Sequence, residues 1–449
     1  MTDRFDLVLQ GGTLVTPAGR VEADLAIRSG RIAALGRFTA DQAADVIDVT
    51  GLTVLPGAID SQVHLREPGL EHKEDLATGT AAAALGGITA VCEMPNTKPS
   101  TTTAADLTDK LRRAAGRAWV DHAFFIGAAG DNIDQLAQLE RMPGCAGIKV
   151  FMGSSTGNLL VEDDATLARV LAQGFRRVAV HCEDEARLRE RKAIAEASVG
   201  DPSAHPEWRD AETALRATQR LIRLARAAGR RVHVLHVTSA EEMAFLADHK
   251  DLATVEATPQ HLTLSAPEAY QRLGTYAQMN PPIRAEHHRL ALWQALEQGV
   301  VDVIGSDHAP HTREEKALPY PQSPSGMTGV QTLLPIMLDH VAAGRLSLER
   351  LVDLTSAGPA RIYGMANKGR IAVGYDADFS IVDLKAERRI SHFWIASKCG
   401  WTPYDGKTVT GWPIMTVLRG QVIMRDDTLL GDPAGQPLRF QECLPAAAA

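Results

Sequence analysis

One repetition constrains this chain more than any single residue. After Pro56-Gly57, short apolar or β-branched runs alternate with amphipathic stretches as far as Asp307. The runs are Ala58 to His64, Ile88 to Met94, Trp119 to Gly127, Cys145 to Phe151, Arg177 to Cys182, Arg231 to Val237, Ala253 to Thr258 and Val301 to Asp307. Between them, stretches such as Ala104 to Ala115, Asp163 to Gln173, Glu207 to Ala228 and Glu286 to Gln298 carry apolar residues at helical spacing. Eight such units in series predict an α/β fold, a TIM-like (β/α)8 barrel whose functional groups sit at the C-terminal ends of the strands.

The flanks have a different texture. Leu7 to Gln10, Asp24 to Ile27, Arg31 to Leu35 and Val46 to Val49 are broken by Gly11-Gly12, Ser29-Gly30 and Gly51, the pattern of a small antiparallel sheet with tight turns. Gly374 to Leu384 and Thr416 to Met424 also read as strands. The N-terminal strands lack enough partners for a sheet of their own. Residues 1–55 and 366–449 are therefore expected to form one composite β-domain beside a catalytic barrel of residues 56–365, with Ala446 to Ala449 frayed.

Composition excludes several classes. A net charge of -8 argues against nucleic acid as the main partner, which would require clustered Lys and Arg. No apolar segment approaches the ~18 residues of a membrane span, and Met1 to Gln10 lacks the apolar core of a secretory signal, so a cytoplasmic protein is the simplest reading. The five cysteines are scattered and form no C-x-x-C pair, so they fit neither a disulfide framework nor a zinc ribbon and are taken as buried small hydrophobes.

Chemistry concentrates at the strand ends. In Asp60-Ser61-Gln62-Val63-His64-Leu65-Arg66, strand alternation places Gln62, His64 and Arg66 on one face. Further strands deliver Lys149 (fourth), His181 (fifth), His236 (sixth) and Asp307 (eighth). One histidine at a strand end is ordinarily structural; five metal-competent residues at matching ends point to one or two Zn2+ or similar divalent ions. Lys149 is the odd member, because an ammonium is repelled by nearby cations. It is either a substrate-binding cation or a lysine carboxylated by CO2, whose carbamate bridges two metals.

Several of these segments resemble the amidohydrolase superfamily, and within it the dihydroorotases of the longer bacterial type. They are His64-Leu65-Arg66-Glu67-Pro68-Gly69, Met94-Pro95-Asn96-Thr97, Lys149-Val150-Phe151-Met152-Gly153, His181-Cys182-Glu183, His236-Val237-Thr238-Ser239-Ala240, Met279-Asn280-Pro281-Pro282-Ile283-Arg284 and Ser306-Asp307-His308-Ala309-Pro310-His311. The first two favour dihydroorotase over hydantoinase or allantoinase.

The resemblance implies a metal-dependent hydrolase interconverting dihydroorotate and N-carbamoyl-aspartate in pyrimidine synthesis. It makes Lys149 the carboxylated bridge, gives His181 and His236 to one metal, and assigns His64 and Asp307 to the other. Arg66, Asn96 and His311 would take the substrate carboxylate, Asn280 the ring, and the backbone near Ser325 and Gly326 a further contact. Asp307 would move the proton from the attacking water to the departing nitrogen. A homodimer, with aspartate transcarbamoylase as a protein partner, is also implied.

Two features qualify this reading. Most of the superfamily carries His-x-His on the first strand, whereas this chain has Gln62-Val63-His64, so Gln62 is expected to be a weak or absent ligand. The aperiodic stretch Thr312 to Gly326 is read as a lid, a substrate wall or a plain surface connection. The alternatives are another cyclic amidase, acting on hydantoin or allantoin, and a catalytically inactive partner of aspartate transcarbamoylase. Retention of Lys149, His181, His236 and Asp307 argues against the inactive form, since a buried charged cluster costs desolvation energy.

Overall fold

The computed structural model describes residues 4–153 and 158–441; Cys443 and Ala446 to Ala449 lie outside the described residues. Eight parallel strands follow one another in sequence order around a barrel: Ala58–Val63, Ile88–Glu93, Asp121–Gly127, Cys145–Phe151, Val178–His181, Val232–Val234, Ala253–Ala257 and Val303–Ile304. The last returns to the first through a parallel bridge between Val63 and His308, with the His64 amide donating to the His308 carbonyl at 2.7 Å.

Period-two alternation builds the barrel wall. Val178 and Val180 face outward into the main core with the helices, while Ala179 packs inside with Ala90, Cys92, Ala123 and Ala146. His181 follows the same inward phase, which carries it to the mouth of the barrel. Helices begin where side chains cap them: Asp75, Thr103, Asp163, Asp210 and Ser239 each accept from a backbone amide of the following first turn. The stretch read as a helix from Glu207 is two elements, His205–Trp208 and Ala211–Ala228, because Asp210 restarts the chain as an N-cap.

Both chain ends join in a seven-stranded sheet. Phe379–Arg389 pairs with Thr53–Pro56 on one side and Thr408–Leu418 on the other, burying Leu14, Val54, Phe379, Ile381 and Val417 together. Contrary to expectation, four N-terminal strands, Phe5–Gln10, Asp24–Arg28, Arg31–Gly36 and Ala43–Asp48, do find partners enough for a separate sheet, and it is not purely antiparallel, because Phe5–Gln10 pairs in parallel with Ala43–Asp48. Thr416 to Met424, read as one strand, turns at Arg419-Gly420 into a second strand, Gln421–Arg425, where Arg419 has φ 46 and Gly420 φ 78. Cys92, Cys145, Cys182 and Cys399 are buried and free. No helix among the described residues is long and apolar enough to cross a membrane.

Candidate active site

The strand ends surround a cavity of about 430 Å³, and every residue singled out from the sequence lines it: Gln62, His64, Arg66, Asn96, Lys149, His181, His236, Asn280, Asp307, His311, Ser325 and Gly326. Three of them leave their strands in the left-handed region, Arg66 with φ 63, His236 with φ 37 and Asp307 with φ 46. Such backbone costs about 1–3 kcal/mol per residue and persists where surrounding packing enforces it.

Histidine pairs define the deep end. Nδ1 of His181 lies 3.0 Å from Nε2 of His236, while its own Nε2 lies 2.8 Å from Glu183 Oε2. Arg209 grips Glu183, its Nε donating to Oε1 at 3.0 Å and its Nη2 to Oε2. Burial alone would raise the Glu183 pKa, but the Arg209 guanidinium and His181 outweigh it and hold the carboxyl well below the usual range. The anchored carboxylate fixes the His181 ring with Nδ1 turned toward His236.

Across the cavity, His64 Nδ1 lies 2.7 Å from Asn96 Oδ1 and His64 Nε2 lies 3.2 Å from Asp307 Oδ1. With Nδ1–H donated to Asn96, Nε2 turns a lone pair toward the carboxylate, an arrangement that a cation between them would satisfy. Burial lowers the His64 pKa and so opposes a proton in that place. Gln62 Nε2 donates to Asp307 Oδ1 at 3.1 Å, and Gln62 Oε1 is buried with no partner among the described residues.

Lys149 is fully buried, with Nζ 4.4 Å from the Phe151 ring centroid and no ion pair among the described residues. Burial pushes its ammonium down to about 7, so neutral amine, the form able to add CO2, is abundant near neutrality. Among the described residues no three His, Cys, Asp or Glu side chains gather tightly enough to hold an ion by themselves. The donors come as two pairs, so the set fits divalent metal when Lys149 supplies an anionic oxygen.

The outer wall is cationic. Arg66 donates from Nε to the Pro310 carbonyl at 3.1 Å, and its Nη2 lies 3.3 Å from His311 Nε2. His311 Nε2 is 3.1 Å from the Ser325 carbonyl, and Lys73 Nζ donates to His311 Nδ1 at 3.1 Å. On the opposite side Asn280 Oδ1 is 3.0 Å from His205 Nε2, next to Trp208 and Tyr320. Gly326, at φ 148, packs where a Cβ would lie 2.3 Å from the Ala309 carbonyl, so the loop backbone itself forms wall. The stretch from Thr312 is not wholly irregular: Thr312 caps a short helix, Arg313–Lys316, through reciprocal bonds with Glu315. His308 accepts from the Gly329 amide at 3.1 Å and stays part of the framework.

The sequence pattern of the amidohydrolase family matches residues 53–423. The chain belongs to this family. A dihydroorotase of Halobacterium salinarum is 39% identical over 416 residues, covering 92% of this chain and 95% of that protein. An allantoinase of Deinococcus radiodurans is 35% identical over 449 residues, covering 97% of this chain and 99% of that protein. Among solved structures, the L-hydantoinase (dihydropyrimidinase) of Arthrobacter aurescens superposes with a TM-score of 0.91 at 31% identity, covering 97% of this chain and 99% of that one. This amidohydrolase is accordingly a hydrolytic enzyme, and relatives of three substrate names are similar to it.

Four residues that brace the lining of this cavity were given no role from the sequence. Glu183 was discoverable, because it stands two residues beyond His181 and so shares its face. Arg209 was hidden inside a helix drawn too long. Lys73 and Glu315, 3.0 Å apart behind His311, join loops after the first and eighth strands and left no local signal.

Proposed function

We propose that this amidohydrolase opens the cyclic amide of dihydroorotate to N-carbamoyl-aspartate and closes it in reverse, in pyrimidine synthesis. The observation that carries the reading is Arg66: its guanidinium is buried on the cavity wall beside His311 and has no carboxylate partner among the described residues. A substrate carboxylate would neutralise it in the bidentate geometry that a planar fork favours. Asn96 spends its oxygen on His64, leaving its amide nitrogen to donate to the same carboxylate. Asn280, which lines the same cavity, would meet the ring amide, and the Ser325–Gly326 backbone would complete the pocket.

Lys149 as carbamate, His181 and His236 would hold one divalent ion, with His64, Asp307 and weakly Gln62 holding a second. Bound there, such ions lower the pKa of water and polarise an amide carbonyl. Asp307 supplies the proton traffic. Its Oδ1 accepts from Gln62 and faces His64 Nε2, leaving Oδ2 to take a proton from the attacking water and return it to the departing ring nitrogen.

Hydantoin and allantoin lack the ring carboxylate, so they test the clamp directly. With the zinc-loaded protein, kcat/KM for dihydroorotate is expected to exceed that for either by on the order of 100-fold or more. Comparable or faster turnover of hydantoin or allantoin would transfer the assignment to that substrate, a reading favoured by the similarity to L-hydantoinase and allantoinase.

A further inference from the structure

At the opposite end of the barrel from the active site lies a second cavity of about 400 Å³. It is lined by residues at or just before the starts of strands: Arg177 precedes Val178–His181, Arg231 precedes Val232–Val234, Thr254 stands second in Ala253–Ala257, and Asp302 precedes Val303–Ile304. Among the described residues, Arg176 and Arg361 complete a lining with four guanidinium groups and one carboxylate, in a chain whose net charge is -8.

The four arginines are differently employed. Arg176 donates to the Cys145 carbonyl at 3.0 Å and packs over the Phe440 ring, and Arg361 bonds Asp353. Among the described residues Arg177 reaches only carbonyls, Val232 at 3.2 Å and Leu252 at 3.3 Å, and Arg231 is exposed. Neither Arg177 nor Arg231 has a carboxylate partner among the described residues, and Asp302 is engaged by Lys250 and the Val255 amide. Like charges gathered in a concave, partly desolvated place repel one another and raise the local concentration of anions.

We propose that this floor cavity is an anion-binding site for a compact phosphate-bearing ligand, a pyrophosphate or the polyphosphate group of a nucleotide. Guanidinium forks match phosphate oxygens, and the volume falls within the range of small-molecule sites. The site is separate from the hydrolytic centre, and its existence does not depend on which cyclic amide that centre opens.

The test is calorimetric titration of the full-length protein with inorganic pyrophosphate, and separately with a nucleoside triphosphate, at about 0.15 M salt where surface charge is screened. Saturable binding with one site per chain is expected for at least one probe; pyrophosphate alone would mark the inorganic ligand, and much tighter triphosphate binding would mark the nucleotide. Arg231→Gln, which removes an exposed side chain without an ion pair, should weaken binding about tenfold or more while leaving hydrolysis and melting temperature unchanged. Arg177→Gln should do the same, with its melting temperature as a check because it bonds strand carbonyls. Arg223→Gln, an equal charge change on the outer surface, should leave binding intact. No saturable binding of either probe to the unmutated protein, or equal weakening by Arg223→Gln, would overturn the proposal.

Discussion

Gln62 donates from Nε2 to Oδ1 of Asp307 at 3.1 Å, turning the residue that replaces a first-strand histidine toward the proposed acid–base group. Its Oε1 is left buried and unpartnered among the described residues. An amide oxygen is a weaker zinc donor than imidazole, so the site shared by Gln62, His64 and Asp307 should bind metal less tightly than the one built on Lys149, His181 and His236. Zinc titration of metal-depleted protein is expected to show one tight and one weak equivalent. Gln62→His should tighten the weaker one by about tenfold or more, in keeping with the effect of ligand-sphere changes on affinity. Two equally tight sites in the unmutated chain would refute the argument.

Asp307→Asn keeps an oxygen that can accept from Gln62 but removes the proton acceptor. Turnover should fall by on the order of 100-fold or more with metal content largely retained, since general acid–base transfer typically contributes about 10²- to 10⁴-fold. Turnover within a few-fold of the parent would take Asp307 out of the mechanism.

Arg66→Lys replaces a fork by a point charge in a buried position. The preference for dihydroorotate over its analogue lacking the carboxylate should shrink by about tenfold or more, because one bidentate charge-assisted contact is lost. An unchanged preference, measured as the ratio of kcat/KM values, would place the clamp elsewhere.

Glu183 should matter without touching substrate. Glu183→Gln leaves Arg209 buried beside a neutral partner and frees the His181 ring, and removing such a support typically costs about 10- to 100-fold in metal affinity. Zinc affinity measured by chelator competition reads this out separately from turnover; unaltered affinity would limit Glu183 to packing.

Much of this architecture was legible because its signals are local. Val178, Ala179, Val180 and His181 alternate outward and inward in the sequence as they do in the barrel, and capping residues such as Asp163 mark where helices begin. Strand ends were overdrawn, most of all at Arg231 to Val237 and Val301 to Asp307, where only Val232–Val234 and Val303–Ile304 keep ladder pairing. There the chain bends into φ-positive positions at His236 and Asp307 to aim side chains inward. That strain is imposed by the site and leaves no trace in hydrophobic periodicity. The parallel pairing of Phe5–Gln10 with Ala43–Asp48 was likewise invisible, because it depends on contacts between distant segments. So did the union of Lys73 with Glu315 and His311.

Burial depresses His205, His233, His311 and His340 to about 3 and His261 to about 4. A folded-state pKa below the ordinary 6.5 means that stability is fully present above 6.5 and is lost as pH falls through the interval toward the folded value. Three buried carboxyls act in the opposite direction: burial raises Asp60 and Glu93 to about 7 and Glu256 to about 8, so their contribution is present at low pH and declines as pH rises above their ordinary values of 3.8 and 4.5. Between about pH 4.5 and 6.5 the five histidines outnumber the three carboxyls, so the unfolded chain binds more protons than the folded one. Metal-depleted protein should therefore lose stability on acidification across this window, with a slope on the order of 1.4 kcal/mol per pH unit for each net proton taken up. Denaturant unfolding at pH 4.5, 5.5 and 6.5 measures that slope. Stability that holds level or increases toward pH 4.5 would show that the buried carboxyls, and not the neutral histidines, govern the titration.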